Sequence, residues 1–228
     1  ELPARRNGDT IAMTLLWDAK TPPPALTLRD TAGRWTMPVE TTLARANGIV
    51  LDWREAHIPS DAPAGMAELI LPDGMVLARQ PIEAVDAVYE PPVFEQPLSV
   101  NFPGVGTLIG FTLETAQITL DSPPQITLIW RAGDVAPTVD YVVFVQLLDE
   151  QGQLIAQSDA RPAQAMRPTT GWRAGEYIVD SHRLVYNANA HPGPATLIVG
   201  MYDPTTNQRV QLSANTDAAP LPIALMIR

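Results

Sequence analysis

Apolar residues in this chain come in short runs, alternating or continuous, and most runs end in a Pro, Gly, Asn or Asp turn. Such punctuated runs, with no convincing amphipathic helical period, predict antiparallel β-strands. In the first half strands are expected near residues 10–17, 25–29, 34–39, 49–54, 66–71 and 75–79, separated by turns at 21–24, 30–33, 46–48, 59–65 and 72–74. The stretch 49–58 also has helical spacing through Leu51, Glu55 and Ile58, but its β-rich counterpart Tyr177-Ile178-Val179-Asp180 favours a strand. In the second half strands are expected near 98–102, 106–113, 116–120, 125–131, 140–148, 153–158, 176–186, 195–202, 208–213 and 220–227. Period-2 alternation puts Ile49, Leu51 and Trp53 on one strand face and Trp35, Met37 and Val39 on another, which predicts that these tryptophans point inward.

The pattern occurs twice. Met13-Thr14-Leu15-Leu16-Trp17-Asp18-Ala19 matches Ile126-Thr127-Leu128-Ile129-Trp130-Arg131-Ala132 in register, and Trp17 and Trp130 are expected as core pillars. Further on, the run from Leu26 to the turn Asp30-Thr31-Ala32-Gly33 parallels the run from Val145 to Asp149-Glu150-Gln151-Gly152. A third block, Gly65 to Leu71, parallels Gly193 to Val199. Three blocks in one order indicate a duplicated module. The expected architecture is all-β: two tandem antiparallel β-sandwiches, immunoglobulin/fibronectin-like or jelly-roll-like, at residues 1–88 and 98–228, joined by a proline-rich linker at 89–97. Three linker prolines, Pro91, Pro92 and Pro97, favour an extended, stiff connection. The opening segment of the second module, 98–113, has no equivalent before Thr10, so the first module is smaller or incomplete, and an edge strand there is expected to be open or filled from elsewhere.

Composition narrows the chemistry. With 46% hydrophobic and 18% charged residues, the 228-residue chain has ample apolar surface for two cores. The net charge of −10 is evenly spread, thirteen acids against eight bases through Glu90 and twelve against seven beyond it. An acidic surface with no basic cluster larger than Arg5-Arg6 argues against nucleic-acid binding. No cysteine is present, which removes disulfides, thiolate catalysis and Cys-ligated zinc. No apolar run approaches the length of a membrane span. The chain reads as a portion of a longer polypeptide.

Candidate sites are few. The glycines of Gly104-Val105-Gly106 and Gly110 are followed by β-type residues where a phosphate-binding loop needs a helix, so a turn is expected. Asp180-Ser181-His182 supplies the letters of a hydrolytic triad, but on a strand Ser181 faces away from both neighbours. His191 lies in a surface-loop sequence. The loop Asp203-Pro204-Thr205-Thr206-Asn207 leaves two readings, a calcium site through Asp203 and Asn207 or a hairpin turn, and the turn is preferred. Trp172, in the Pro/Thr/Gly-rich segment 168–176, also leaves two: a sugar-stacking platform with Arg173 and Tyr177 beside it, or an anchor packed over the end of the sandwich. No cofactor or metal is expected.

Asn101-Phe102, Leu108-Ile109-Gly110-Phe111, the strand ending at Trp130, the run Val143 to Gly152, Thr169 to Trp172 with Gly175-Glu176, Asp180, and Val199-Gly200-Met201-Tyr202-Asp203 resemble a bacterial extracytoplasmic β-sandwich module. Such modules are appended, often in tandem, to polytopic membrane proteins of the glycosyltransferase or mannosyltransferase kind and to other envelope proteins. The resemblance covers residues 98–213 well and 9–79 weakly; the first module lacks the Asn-Phe and Gly-Phe opening and the Trp-x-x-Gly-Glu loop. It implies a non-catalytic accessory, spacer or interaction domain in the cell envelope, whose partners are the rest of a larger membrane or envelope polypeptide and glycans or another protein. The alternative is a carbohydrate-binding module centred on Trp172, and a third reading is an esterase or lyase that uses His182 and His191.

Overall fold

The computed structural model describes residues 3–18, 20, 22–46, 49–114 and 117–228. The chain divides into two compact units, Glu1–Asp86 and Ala87–Arg228. Both are all-β, and each packs two sheets over an apolar core.

Unit 1 contains β1 (Arg5–Arg6), β2 (Thr10–Asp18), β3 (Thr27–Asp30), β4 (Thr36–Pro38), β5 (Glu40–Ala46), β6 (Ile49–His57), β7 (Gly65–Ile70) and β8 (Val76–Glu83). One sheet runs β1-β8-β7-β3-β4, the other β2-β6-β5, and all pairs are antiparallel except β1 with β8. Leu26, Leu28, Val39, Ala56, Ile58, Leu69 and Ile82 fill the space between them. Strand β5 is absent from the hydrophobic pattern because Leu43 is the only large apolar residue in it. The expected turn residues Thr21, Asn47 and Gly48, and Ala19 at the end of the repeated Trp-x-Ala block, lie outside the described residues.

Unit 2 contains β9 (Gln96–Phe102), β10 (Gly106–Leu113), β11 (Gln125–Ala132), β12 (Val142–Asp149), β13 (Leu154–Ala160), β14 (Tyr177–Arg183), β15 (Val185–Tyr186), β16 (Gly193–Tyr202), β17 (Ala219–Pro220) and β18 (Leu225–Ile227). Its sheets run β14-β11-β10-β9 and β15-β13-β12-β16-β17, with β18 also on β16. The expected strand at 116–120 begins outside the described residues, and Thr119 makes only an isolated bridge to Ser122. The one expected at 208–213 likewise reduces to single bridges, Arg209 to Tyr202 and Ser213 to Thr216. The proline-rich segment is bound to unit 2: the Tyr177 N–H donates to the Val88 carbonyl at 2.7 Å, and the Glu95 N–H to Thr112 Oγ1 at 3.2 Å.

The sequence blocks recur as strand registers. Leu28 faces Leu69 across β3 and β7, as Leu147 faces Leu197 across β12 and β16. Trp17 faces Val50 and Leu15 faces Asp52 across β2 and β6, as Trp130 faces Ile178 and Leu128 faces Asp180 across β11 and β14. The diagonal of that ladder aims each indole N–H at a carboxylate. Trp17 Nε1 donates to Asp52 Oδ2 at 2.8 Å and Trp130 Nε1 to Asp180 Oδ2 at 3.2 Å. Two residues further along, Arg54 Nε lies 2.7 Å from Asp52 Oδ2 and His182 Nε2 lies 3.0 Å from Asp180 Oδ2.

This buried arrangement inverts the expected inward face of β6. Val50, Asp52, Arg54 and Ala56 are buried, whereas Ile49, Leu51 and Trp53 occupy the outer face and Trp53 is 43% exposed. A buried carboxylate needs several donors. Asp52 also accepts Thr41 Oγ1 at 2.6 Å, and Arg54 reaches the Pro24 carbonyl at 2.7 Å. Burial opposes ionisation of Asp52, but hydrogen bonds from Arg54, Thr41 and Trp17 outweigh it and hold the carboxyl below its ordinary range. Trp35 and Met37 are half-buried and Val39 buried, on the inward side as the alternation indicates.

The two Asp-x-x-Gly turns are built alike. Gly33 and Gly152 both have φ of 74°, a left-handed conformation that suits glycine, and each donates its N–H to the carbonyl of the Asp three residues earlier. Asp30 is additionally paired with Arg34, Nη2 to Oδ1 at 2.6 Å. The hydrogen bond from the Arg34 side chain lowers the Asp30 pKa to about 2 from 3.8. A depressed folded-state pKa contributes stability above the unfolded value that is lost as pH falls through the folded one, here between about pH 4 and pH 2. Asp30→Asn, which keeps the turn acceptor and removes the charge, is therefore expected to flatten the acid dependence of unit 1 stability. Urea midpoints measured by tryptophan fluorescence at pH 5, 3 and 2 test this; superimposable pH profiles for the two proteins contradict it.

Candidate functional site

The loop 161–176 joins β13 to β14 at one end of unit 2. Its first part is a left-handed turn, with φ of 51°, 55° and 65° at Ala163, Gln164 and Ala165. Three consecutive non-glycine residues in this region are strained and need external ties. One tie is the Ala163 N–H, which donates to Asp180 Oδ1 at 2.8 Å. The second part is folded over the sandwich end. Arg167 pairs with buried Glu176 and donates to the Gly171 carbonyl at 3.1 Å, while Thr169 Oγ1 donates to the Val139 carbonyl at 2.6 Å.

Trp172 belongs to this tethered part. Its ring is 1% exposed, stands 6.2 Å from the Trp130 ring, and its Nε1 donates to the Arg167 carbonyl at 3.0 Å. Of the two readings the structure matches the anchor packed over the sandwich end and corrects the stacking platform: no ring face is left for a sugar, because indole burial and a backbone acceptor draw it into the core. Arg173 and Tyr177 are half-buried. Tyr177 pairs with Arg131 and alternates with buried Ile178 and Asp180, so it lies on the outer face of β14 while Trp172 lies inside. The structure does not bring the three together as one surface.

His182 is where chemistry looks most plausible by letter. Its Nδ1 is 3.1 Å from Ser158 Oγ on β13 and its Nε2 3.0 Å from Asp180 Oδ2, so serine, imidazole and carboxylate follow one another across the two sheets. Ser158, which the sequence does not mark, supplies the hydroxyl; Ser181 faces outward and meets Thr127 Oγ1 at 2.7 Å. The His182 and Asp180 side chains have 0% exposure, and Asp180 is also held by Trp130 and Ala163. The imidazole is enclosed, and the group ties one sheet to the other, Ser158 on β13 to His182 and Asp180 on β14. His57 meets Thr10 Oγ1 at 2.8 Å within unit 1, and His191 is held near the backbone carbonyl of Asn189 at 2.9 Å in an exposed loop.

Asp203 and Asn207 form a hairpin turn. The two Asp203 carboxylate oxygens accept the Thr205 N–H and Thr206 Oγ1, each at 2.8 Å, and Asn207, with φ of 58°, donates its N–H to the Asp203 carbonyl. Those bonds, the Thr205 backbone N–H foremost, hold the Asp203 carboxyl below its ordinary range. Among the described residues no group of three or more His, Cys, Asp or Glu side chains is placed to hold a metal. Gly104, φ 74°, forms the β9–β10 turn. A cleft of about 200 Å³ lined by Glu150, Thr196, Ile223 and Leu225 is smaller than the ~300–1,000 Å³ usual for ligand pockets.

The most unusual surface is the outer face of β2 and β6 in unit 1. Leu16 is 68%, Ile49 50% and Trp53 43% exposed, with Leu51 half-buried between them. In unit 2 the residue equivalent to Leu16 is Ile129, which is 2% exposed. Its register partner there is Gly110, over which the Phe94 ring lies. The sequence does not distinguish these faces, because both strands read as apolar.

These features define an all-β protein of two antiparallel sandwich units. No family model and no curated protein matches the chain. Among solved structures, a crystal structure of an alpha-2-macroglobulin mutant from Salmonella aligns with 98% of this chain and 14% of that one, at 13% identity and a TM-score of 0.26. The chain thus spans a small part of that protein's length, and a likeness at this score carries no argument.

Trp172→Ala is expected to lower unit 2 stability by about 3–5 kcal/mol, the cost of emptying a fully packed aromatic site. Denaturant unfolding followed through near-UV circular dichroism measures it. Stability unchanged from the parent protein would mean that the indole is not a core member.

Proposed function

We propose that this chain is a non-catalytic, extracytoplasmic accessory module of a larger bacterial envelope protein, acting as a spacer and interaction surface beside a membrane-embedded or catalytic region. Location and parentage rest on the resemblance of residues 98–213 to envelope-appended modules. The interaction role rests on one observation, the apolar outer face of Leu16, Ile49, Leu51 and Trp53. Contiguous exposed apolar side chains on a soluble surface mark contact sites. The uniform net charge of −10 favours a protein partner over a phosphate-rich one. Burial of Trp172 and enclosure of His182 weigh against the carbohydrate and hydrolase readings.

An antibody raised against the 228-residue protein tests location and parentage in native cells. The expected result is a band well above 24.7 kDa in the envelope fraction, degraded when spheroplasts are treated with external protease. A 24.7 kDa band in the cytosolic fraction, resistant to that treatment, would overturn the proposal.

A further inference from the structure

Strand β2 is the edge of its sheet: it pairs with β6 in an unbroken register from Thr10 to Asp18 and has no partner on its other side among the described residues. Exposed edges are ordinarily blunted by lysine, proline, a bulge or shortness. Here nine residues run without a register shift, and Thr10 to Trp17 carry no charge and no proline. The other edge of the same sheet, β5, carries Glu40 and Arg45.

Unit 2 contains the filled version of this edge. Its equivalent of β2 is β11, and β11 is paired on the corresponding side by β10, which is in turn paired by β9. With that cover, Ile126, Leu128 and Trp130 are completely buried. Their counterparts Met13, Leu15 and Trp17 remain half-buried. The outer face follows the same rule, since Ile129 is covered where Leu16 is open.

We propose that the β2 edge docks an extended segment of a second polypeptide as an added antiparallel strand, a segment that is uncharged, alternately apolar and flanked by an aromatic side chain. The occupant's chemistry is that of β10 and Phe94. Transposing the β10–β11 register, a residue like Leu108 lies opposite Trp17, a small residue like Gly110 opposite Leu16, and a residue like Phe111 opposite Leu15. Main-chain hydrogen bonds supply the attachment, and the alternate apolar side chains complete the inner face. An aromatic flank takes the place over Leu16 that Phe94 holds in unit 2. The inference does not depend on whether the protein is extracytoplasmic.

The probe is a fluorescein-labelled peptide of residues 93–113 of this chain, which carries Phe94 as well as β10, titrated into the 228-residue protein and followed by anisotropy and amide hydrogen exchange. Saturable binding with a Kd below about 100 μM, slowed exchange in β2 and unchanged exchange in β5 are expected. Leu16→Lys, at a position exposed enough to leave folding intact, should weaken binding about tenfold by placing a charge on the edge. A peptide N-methylated at alternate residues should not bind to the parent protein. No saturable binding, or protection that falls on β5 instead, overturns the proposal. So does slowed exchange in β2 that grows with protein concentration without peptide and accompanies a dimer in sedimentation, because the occupant is then a second copy.

Discussion

A buried aspartate held by a tryptophan N–H is the constraint on which each unit depends. The carboxylate is placed where water cannot reach it, so its donors must come from the protein, and only one strand register delivers them. A one-residue slip between β2 and β6 would turn Asp52 outward and expose Arg54's former partner. The lock also reaches beyond its own sheet. Arg54 ties to the Pro24 carbonyl, while His182 ties to Ser158 on the facing sheet and Asp180 to the loop at Ala163.

From that shared centre the two units diverge in what covers it. Unit 2 adds β9, β10 and the segment carrying Phe94 on one side of β11, and the tethered loop 161–176 beyond β14. Unit 1 has β5 beside β6 and leaves β2 as an edge. Completeness therefore differs although the register is the same: Trp130 is fully buried with Phe102 edge-on at 5.0 Å, whereas Trp17 is half-buried. An element that resembles a catalytic relay by residue type is a cross-sheet tie whose imidazole and carboxylate are fully buried, with Ser158 half-buried at its end.

Much of the fold was legible because strand and turn signals are local. The two Trp-bearing strands, the Asp-x-x-Gly turns and the order of the blocks follow from spacing and turn chemistry alone. The inward face of β6 was misread because period-2 reasoning assigns the core to apolar residues, and here the buried positions are Asp52 and Arg54. A signal was available, an Asp-x-Arg and an Asp-x-His at matching strand positions downstream of matching tryptophans. Strand β5 escaped because Leu43 is its only large apolar residue, so neither face carries an apolar alternation. Trp172 was ambiguous because a Pro/Thr/Gly-rich loop looks solvated, and its burial depends on the Arg167 carbonyl and Trp130 ring, which only the fold brings near. Ser158 could not be linked to His182 from sequence, since the contact crosses between sheets.

The most direct test of the shared lock is a double-mutant cycle in each unit, Trp17→Phe with Asp52→Asn and Trp130→Phe with Asp180→Asn, read by urea unfolding. If the indole and carboxylate hold the register together, both cycles give a coupling of about 1–3 kcal/mol. Additive effects in either unit would mean that the two side chains stabilise independently and that the register is set by something else.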